Sequence, residues 1–275
     1  MNLEDFVKKY INVGYELEDA RSKVSQDIIL RKICKSNFKD HITIKGGVVM
    51  HNISNSIRRA TRDLDLDFIK YSLEDISIRE FINKLNLVDD DIKIEIVGNI
   101  VELHHQDYNG KRVYVKIIDK YNYSIDTKLD IGVNKLFELE QDDYCFYFDG
   151  IDDGVSLFIN SVEQIFTEKI KSLLRLGFRS TRYKDLFDIY YLIVNNKLNK
   201  DKLLKTFEII IFNDELMREK SVSDILLRLQ NIFNSKIYRK NLSDPKVNWL
   251  DVSIDESIFK IINYIIELEI EKVNI

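Results

Sequence analysis

The stretch that most constrains this chain is Arg58-Arg59-Ala60-Thr61-Arg62-Asp63-Leu64-Asp65-Leu66-Asp67. Its alternation of acidic and apolar residues predicts a β-strand, because side chains along a strand point to its two faces in turn. Leu64 and Leu66 then face a core, and Asp63, Asp65 and Asp67 share the opposite face. Next-but-one residues on a strand stand roughly 6.6 Å apart. Carboxylates at that spacing repel and raise one another's pKa unless a cation lies among them. Mg²⁺ takes a few carboxylates and fills its shell with substrate phosphates, and paired ions about 4 Å apart clamp attacking and leaving oxygens. The plainer reading is a solvated strand face with no ligand.

The neighbours of this stretch favour the ligand. HITIKGG reads as a short strand running into Gly46-Gly47 and the helix VVMHNISNSI. Backbone N–H groups at such a helix start suit a phosphate. Arg58, Arg59 and Arg62 flank the acids and supply charge for triphosphate oxygens. A third acid is expected from another strand. Lys128-Leu129-Asp130-Ile131-Gly132 ends an alternating run, so Asp130 completes a carboxylate triad if that strand lies beside the first. Later, Lys169, Lys171, Arg175, Arg179, Arg182 and Lys184 precede Asp185 and Asp188. For most of these basic residues the expected role is a solvated helix face.

The rest of the chain divides by pattern. Residues 1–38 read as helical, with apolar positions at Phe6, Tyr10 and Val13. SLEDISIREFINKL is an amphipathic helix with Ser72 as its expected N-cap. Residues 91–131 read as a run of strands with a turn at 108–110, and 138–153 as an acidic loop around a short aromatic strand. From Ser161, whose pairing with Gln164 resembles a capping box, the pattern is helical to the end. A mixed α/β part over 1–155 and an α-helical part over 156–275 follow. Trp249, Tyr144, Phe146, Tyr147, Phe148, Tyr190 and Tyr191 are expected in the core. His41, His51, His104 and His105 have no ligand spacing and are expected on strands or the surface.

Composition narrows the class. Lys+Arg 41 against Asp+Glu 46 gives a net charge of −5, so nucleic acid is met through a local patch and not a basic coat. Cys34 and Cys145 match no metal or redox spacing and are expected as free thiols in a reducing compartment. No apolar run reaches the length of a membrane span, and the first residues lack a signal-peptide core. A cytoplasmic protein is expected.

These blocks, in order, resemble the AbiEii/AbiGii family of nucleotidyltransferase-like toxins, a branch of the DNA-polymerase-β-type nucleotidyltransferase superfamily. The resemblance rests on Lys45-Gly46-Gly47, Arg59-x-Thr61-x-Asp63-x-Asp65-Leu66, Leu129-Asp130-Ile131, and Glu168-Lys169-Ile170 through Arg182-x-Lys184-Asp185-Leu186-x-Asp188-Ile189. It covers about residues 40–195. Val48 departs from it, since the family often has a small hydroxyl residue after the glycine pair.

The resemblance implies an α+β fold, a nucleotidyltransferase-like mixed β-sheet flanked by helices and followed by an α-helical C-terminal domain that contributes nucleotide-binding residues. It implies Asp63 and Asp65 as Mg²⁺ ligands, with Mn²⁺ as a substitute, and Asp130 as third carboxylate and general base. Lys45, Gly46, Gly47, Arg59, Thr61 and Arg182 would serve the NTP, with Thr61 also a candidate for phosphorylation. Lys169 would contact the triphosphate, supported by Asp188 or Asp185. The implied activity is NMP transfer from NTP to an acceptor, the tRNA 3′ end in some relatives, as the toxin of a toxin–antitoxin or abortive phage infection system with a DNA-binding antitoxin as partner. The alternative is a catalytically silent NTP-binding or partner-docking module of the same fold. A DxD glycosyltransferase requires neither Asp130 nor the Lys169 block. An aspartyl phosphatase requires a hydroxyl residue where Asp67 stands.

Overall fold

The fold is that of a computed structural model describing residues 2–88, 90–103, 110–136, 138–148 and 154–273, the last three without their side chains. The chain forms two compact units, Met1–Asn160 and Ser161–Ile275. The expected turn at 108–110, His104, His105 and the end of the acidic run (149–153) fall wholly or mostly outside the described residues.

The first unit begins with α1 (Leu3–Val13) and α2 (Leu17–Lys35). α1 buries Leu3, Val7 and Tyr10, whereas Val13, expected on the apolar stripe, is exposed. α2 has acids in its first turn and lysines in its last, which suits the helix dipole. It also buries charge. Tyr10 donates to Asp27 at 2.5 Å, and Lys23 reaches the other oxygen of that carboxylate at 2.5 Å. Lys32, fully buried, pairs with Asp90 at 2.7 Å.

The sheet then builds around β1 (Ile42–Lys45), β2 (Leu64–Phe68), β3 (Ile92–Ile96), β4 (Val101–Leu103), β5 (Gly110–Asp119), β6 (Ser124–Val133), β7 (Gln141–Phe146) and β8 (Val155–Asn160). Its order is β3-β5-β6-β2-β1-β8-β7, with β4 on β5. β2 runs parallel to β6 and β1 parallel to β8, while the remaining pairs are antiparallel. The sheet is therefore mixed. β8 belongs to it by pairing with β1 and β7, which puts the unit boundary after Asn160, where the sequence pattern sets it at 155. α3 (Gly46–Ser54) links β1 to β2, and α4 (Asp75–Leu85) links β2 to β3.

One face of the central strands is apolar. Ile42, Ile44, Leu64, Leu66, Phe68, Val113, Leu129 and Ile131 are all essentially inaccessible. This is the face the alternation assigns to the core. Three local expectations change. α4 starts at Asp75 with Glu74 at the cap, and Ser72 instead accepts the Glu74 N–H in a turn before the helix. Tyr147 is exposed, not core. His51 is buried on α3 and shares a 2.9 Å hydrogen bond with the Tyr15 hydroxyl.

The second unit is helical: α5 (Val162–Leu176), α6 (Lys184–Val194), α7 (Lys200–Phe207) continuing into a π-helical turn (Glu208–Phe212), α8 (Val222–Phe233), α9 (Lys236–Leu242) and α10 (Ile254–Val273). Ser161 caps α5 by accepting from Gln164 N–H at 3.2 Å. The Gln164 side chain also donates forward to Glu168 at 2.9 Å. Phe166, Phe187, Phe207, Phe233, Tyr238 and Trp249 fill the interior.

Leu66 has no exposed surface at the middle of the central strand. Leu66→Ala is expected to destabilise the protein by about 2–5 kcal/mol. Urea denaturation measures this, and a loss under about 1 kcal/mol would contradict the strand's place in the core.

Candidate active site

Register brings the acids of the first unit together. Across β5, β6, β2 and β1 one row of directly opposed residues reads Arg112, Asp130, Asp65, Lys45. Opposed residues share a sheet face, with Cβ atoms about 5 Å apart. Asp130 thus stands beside Asp65, as the sequence predicts if the two strands are neighbours. Asp63 and Asp67, two residues either side of Asp65, lie on the same face.

Cations interleave with these carboxylates. Lys45 approaches Asp67 at 2.7 Å, both side chains nearly buried. Lys128, two residues before Asp130, reaches Asp63 at 2.9 Å in a pair that is a third to a half exposed. Arg112 grips Asp130 with both ends of its fork, Nε to Oδ1 at 2.7 Å and Nη2 to Oδ2 at 2.7 Å. Those hydrogen bonds hold the Arg112 guanidinium above the ordinary arginine pKa range. Among the described residues no group of three or more His, Cys, Asp or Glu side chains is arranged to hold a metal ion.

The glycine pair is fitted to this face. β1 passes into α3 at Gly46, which adopts φ +69°. A Cβ on Gly46 would stand 2.7 Å from Asp65 Oδ2, and one on Gly47 would stand 2.7 Å from Thr61 Oγ1. The helix start therefore lies against the side chains of Asp65 and Thr61. Gln26 on α2 donates to the Thr61 carbonyl at 2.8 Å and so fixes the approach to β2. Arg59 is buried and Arg58 is exposed. Arg62 turns away to pair with Asp19 on α2 at 2.8 Å.

In the second unit a buried cluster gathers the later block. Lys169 on α5 lies 2.6 Å from Asp185 and 2.8 Å from Asp188, both on α6. Arg182 adds a contact to Asp185 at 2.8 Å, and Trp249 Nε1 donates to Asp188 at 3.1 Å. Lys171 pairs with Asp214 at 2.7 Å. Lys169 and Lys171 are thus engaged within the unit, whereas the sequence suggests a solvated helix face for most of this basic run.

A family model described as nucleotidyl transferase AbiEii toxin, type IV toxin–antitoxin system, matches residues 28–246. This chain belongs to the AbiEii nucleotidyltransferase toxin family. The match spans both units, from α2 to the loop after α9. Among solved structures, an antigenic nucleotidyltransferase-like protein from Paracoccidioides brasiliensis is similar over 87% of this chain and 93% of that one, at 14% identity and a TM-score of 0.36. No curated protein matches the sequence.

Sequence reasoning missed several residues of this AbiEii chain. Arg112 and Lys128 lie in alternating strands, where a basic residue reads as a solvated position, and only strand register shows their acidic partners. Gln26 sits on a helix buried nearly all round, so no polar stripe marks it out. Trp249 is in the core as expected, and its N–H has the further task of meeting a fully buried carboxylate.

Two substitutions test this geometry. Gly46→Ala is expected to cost about 1–2 kcal/mol for its left-handed backbone, plus the clash with Asp65. Gly98→Ala is the control, because Gly98 has φ +72° with nothing within 4 Å of an added Cβ. Denaturant unfolding should show Gly46→Ala as the more destabilising, and equal losses would contradict the close approach. In the second unit, Lys169→Met leaves two buried carboxylates short of their cation and is expected to cost about 3–5 kcal/mol. Adding Asp188→Asn should recover part of that loss, and strict additivity in the double-mutant cycle would refute the coupling.

Proposed function

We propose that this AbiEii toxin transfers a nucleoside monophosphate from an NTP to an RNA acceptor, with the tRNA 3′ end as the favoured target. Asp63 and Asp65 on one strand face, beside the Gly46-Gly47 helix start, carry this reading. Their chemistry suits Mg²⁺, or Mn²⁺ in its place, because hard cations take a few carboxylates and complete the shell with phosphates and water. Asp63 meets its lysine through one exposed contact, which a divalent ion displaces at little cost. When bound, the ion supplies charge neutralisation at the α-phosphate and at the departing pyrophosphate.

The protein's own groups supply the rest. Backbone N–H groups at the start of α3 are free to receive phosphate oxygens, since the first turn of a helix has no internal partners for them. The Thr61 hydroxyl, packed against Gly47, borders the same corner. Lys45 keeps Asp67 neutralised and adds positive charge beside Asp65. Asp130 extends the acidic row toward β5. The family resemblance assigns Lys169, Asp185, Asp188, Arg59 and Arg182 to nucleotide binding. Membership of a type IV toxin–antitoxin family implies an antitoxin partner. No helix among the described residues is long and apolar enough to cross a membrane, and the cytoplasm is the proposed location.

The ion-paired state of Asp63, Asp67 and Asp130 supports a second reading, an NTP-binding module without turnover. One experiment separates the two: incorporation of each α-³²P-labelled NTP into total bacterial tRNA with Mg²⁺, comparing wild type with Asp63→Ala/Asp65→Ala. Label lengthening tRNA only with wild type, at least about 100-fold above the variant, is expected. No incorporation together with calorimetric NTP binding would favour the module. Absence of NTP binding would sink both.

A further inference from the structure

Positive charge in the second unit is segregated along the chain. Residues 169–184 hold six Lys and Arg and no acid, and residues 225–243 hold four and no acid. The rest of Ser161–Ile275 holds nine Lys and Arg against seventeen Asp and Glu. In a chain of net charge −5, two such stretches supply the local basic surface that a polyanion requires. The fold puts them side by side. The first ends α5, turns at Gly177–Arg179 and enters α6, and the second forms most of α8 and all of α9. Both α8 and α9 pack against the Gly177–Arg179 turn. Arg228 Nη2 on α8 lies 3.2 Å from where a Cβ on Gly177 would stand. Asn241 donates to the Tyr183 hydroxyl at 2.7 Å, which ties α9 to the start of α6.

The cations of this surface face outward. Tyr238 and Leu242 anchor α9 in the interior. Lys236, Arg239 and Lys240 fall at i, i+3 and i+4, so they share another side of that helix. Arg179, Arg228, Lys236 and Lys240 are exposed, and among the described residues none of the four has an acidic partner. Arg239 meets the exposed Asp255. Lys236 and Lys240 form a like-charge pair one turn apart, which weakens a helix standing alone. An anion between them removes that repulsion. Phe178 is 48% exposed, with the Arg179 guanidinium 5.8 Å from its ring centre. An open aromatic ring among cations suits an unpaired base on a sugar–phosphate chain, where stacking and phosphate contacts act together.

We infer that the surface formed by α9, Arg228 and the Gly177–Arg179 turn docks the RNA acceptor, with Lys236 and Lys240 on phosphates and Phe178 under an unpaired base. This rests on the RNA-directed transfer reading, and docking is measured apart from transfer so that either can fail alone.

The test is fluorescence anisotropy of labelled bacterial tRNA with the full chain, without NTP or divalent ion, between about 50 and 200 mM KCl. Lys236→Gln/Lys240→Gln is expected to weaken binding at least about 10-fold at the lower salt and to reduce the slope of log K against log salt by about 1.5. Lys202→Gln/Lys205→Gln removes the same charge from exposed positions on α7 and is expected to change binding less than about 2-fold. Phe178→Ala is expected to weaken binding at least about 5-fold. Circular dichroism melts check that each variant is folded. Equal losses from the two lysine pairs would overturn the inference, because net charge and not this surface would then govern binding. Wild-type affinity in the α9 variant would overturn it, as would no tRNA binding by wild type. Lost binding of the α9 variant to phosphatidylglycerol vesicles with tRNA binding kept would assign the surface to a membrane instead. Docking lost in the α9 variant, with no NTP incorporated by wild type, supports the RNA site and removes the transfer reading. Incorporation into tRNA by the α9 variant with the wild-type dependence on tRNA concentration does the reverse.

Discussion

The parallel pairing of β2 with β6 is the constraint from which the first unit's chemistry follows. It sets Asp65 opposite Asp130 and, through the β5 and β1 neighbours, lines up Arg112 and Lys45 at the two ends of the row. A slip of one residue would turn every carboxylate into the core and every leucine into water. The apolar face prevents that slip. Leu64, Leu66, Leu129 and Ile131 are buried on the reverse side of the same strands. The core thus holds the register, and the register holds the charges.

Close packing adds a second layer of order. The glycine pair at the start of α3 is there because side chains occupy the space a Cβ would take. Asp65 fills it at Gly46 and Thr61 at Gly47. One motif is therefore explained by the other. Gln26 reaches from α2 to the Thr61 carbonyl and holds the backbone there. Deletions along this face would be felt at several residues, because each polar group has a neighbour fitted to it.

Much of this was legible in the sequence. Alternation gave β2, its two faces and the partner strand carrying Asp130, since period-2 patterns report burial directly. Glycines before a helix marked the corner that meets Asp65 and Thr61. What stayed hidden depended on register or on long-range burial. Arg112 reads like any basic residue on a half-exposed strand until β5 is set against β6. Lys169 reads like the lysines around it, although its position faces both Asp185 and Asp188 in a buried cluster. Ser72 has the side chain of an N-cap, but the chain adds a turn before α4 begins. His51 carried no spacing signal, and its burial follows from packing against Tyr15.

Charge on the face that carries four carboxylates is balanced by basic residues on the same and neighbouring strands. Asp63, Asp67 and Asp130 each have a cation from a neighbouring or flanking strand, which offsets the repulsion between acids at this spacing. The compensation is graded by exposure and geometry: a loose lysine at Asp63, a buried one at Asp67, a bidentate arginine at Asp130. The most exposed of these pairs is Lys128–Asp63, at the start of β2. The difference between these pairs is therefore a property of strand register and exposure.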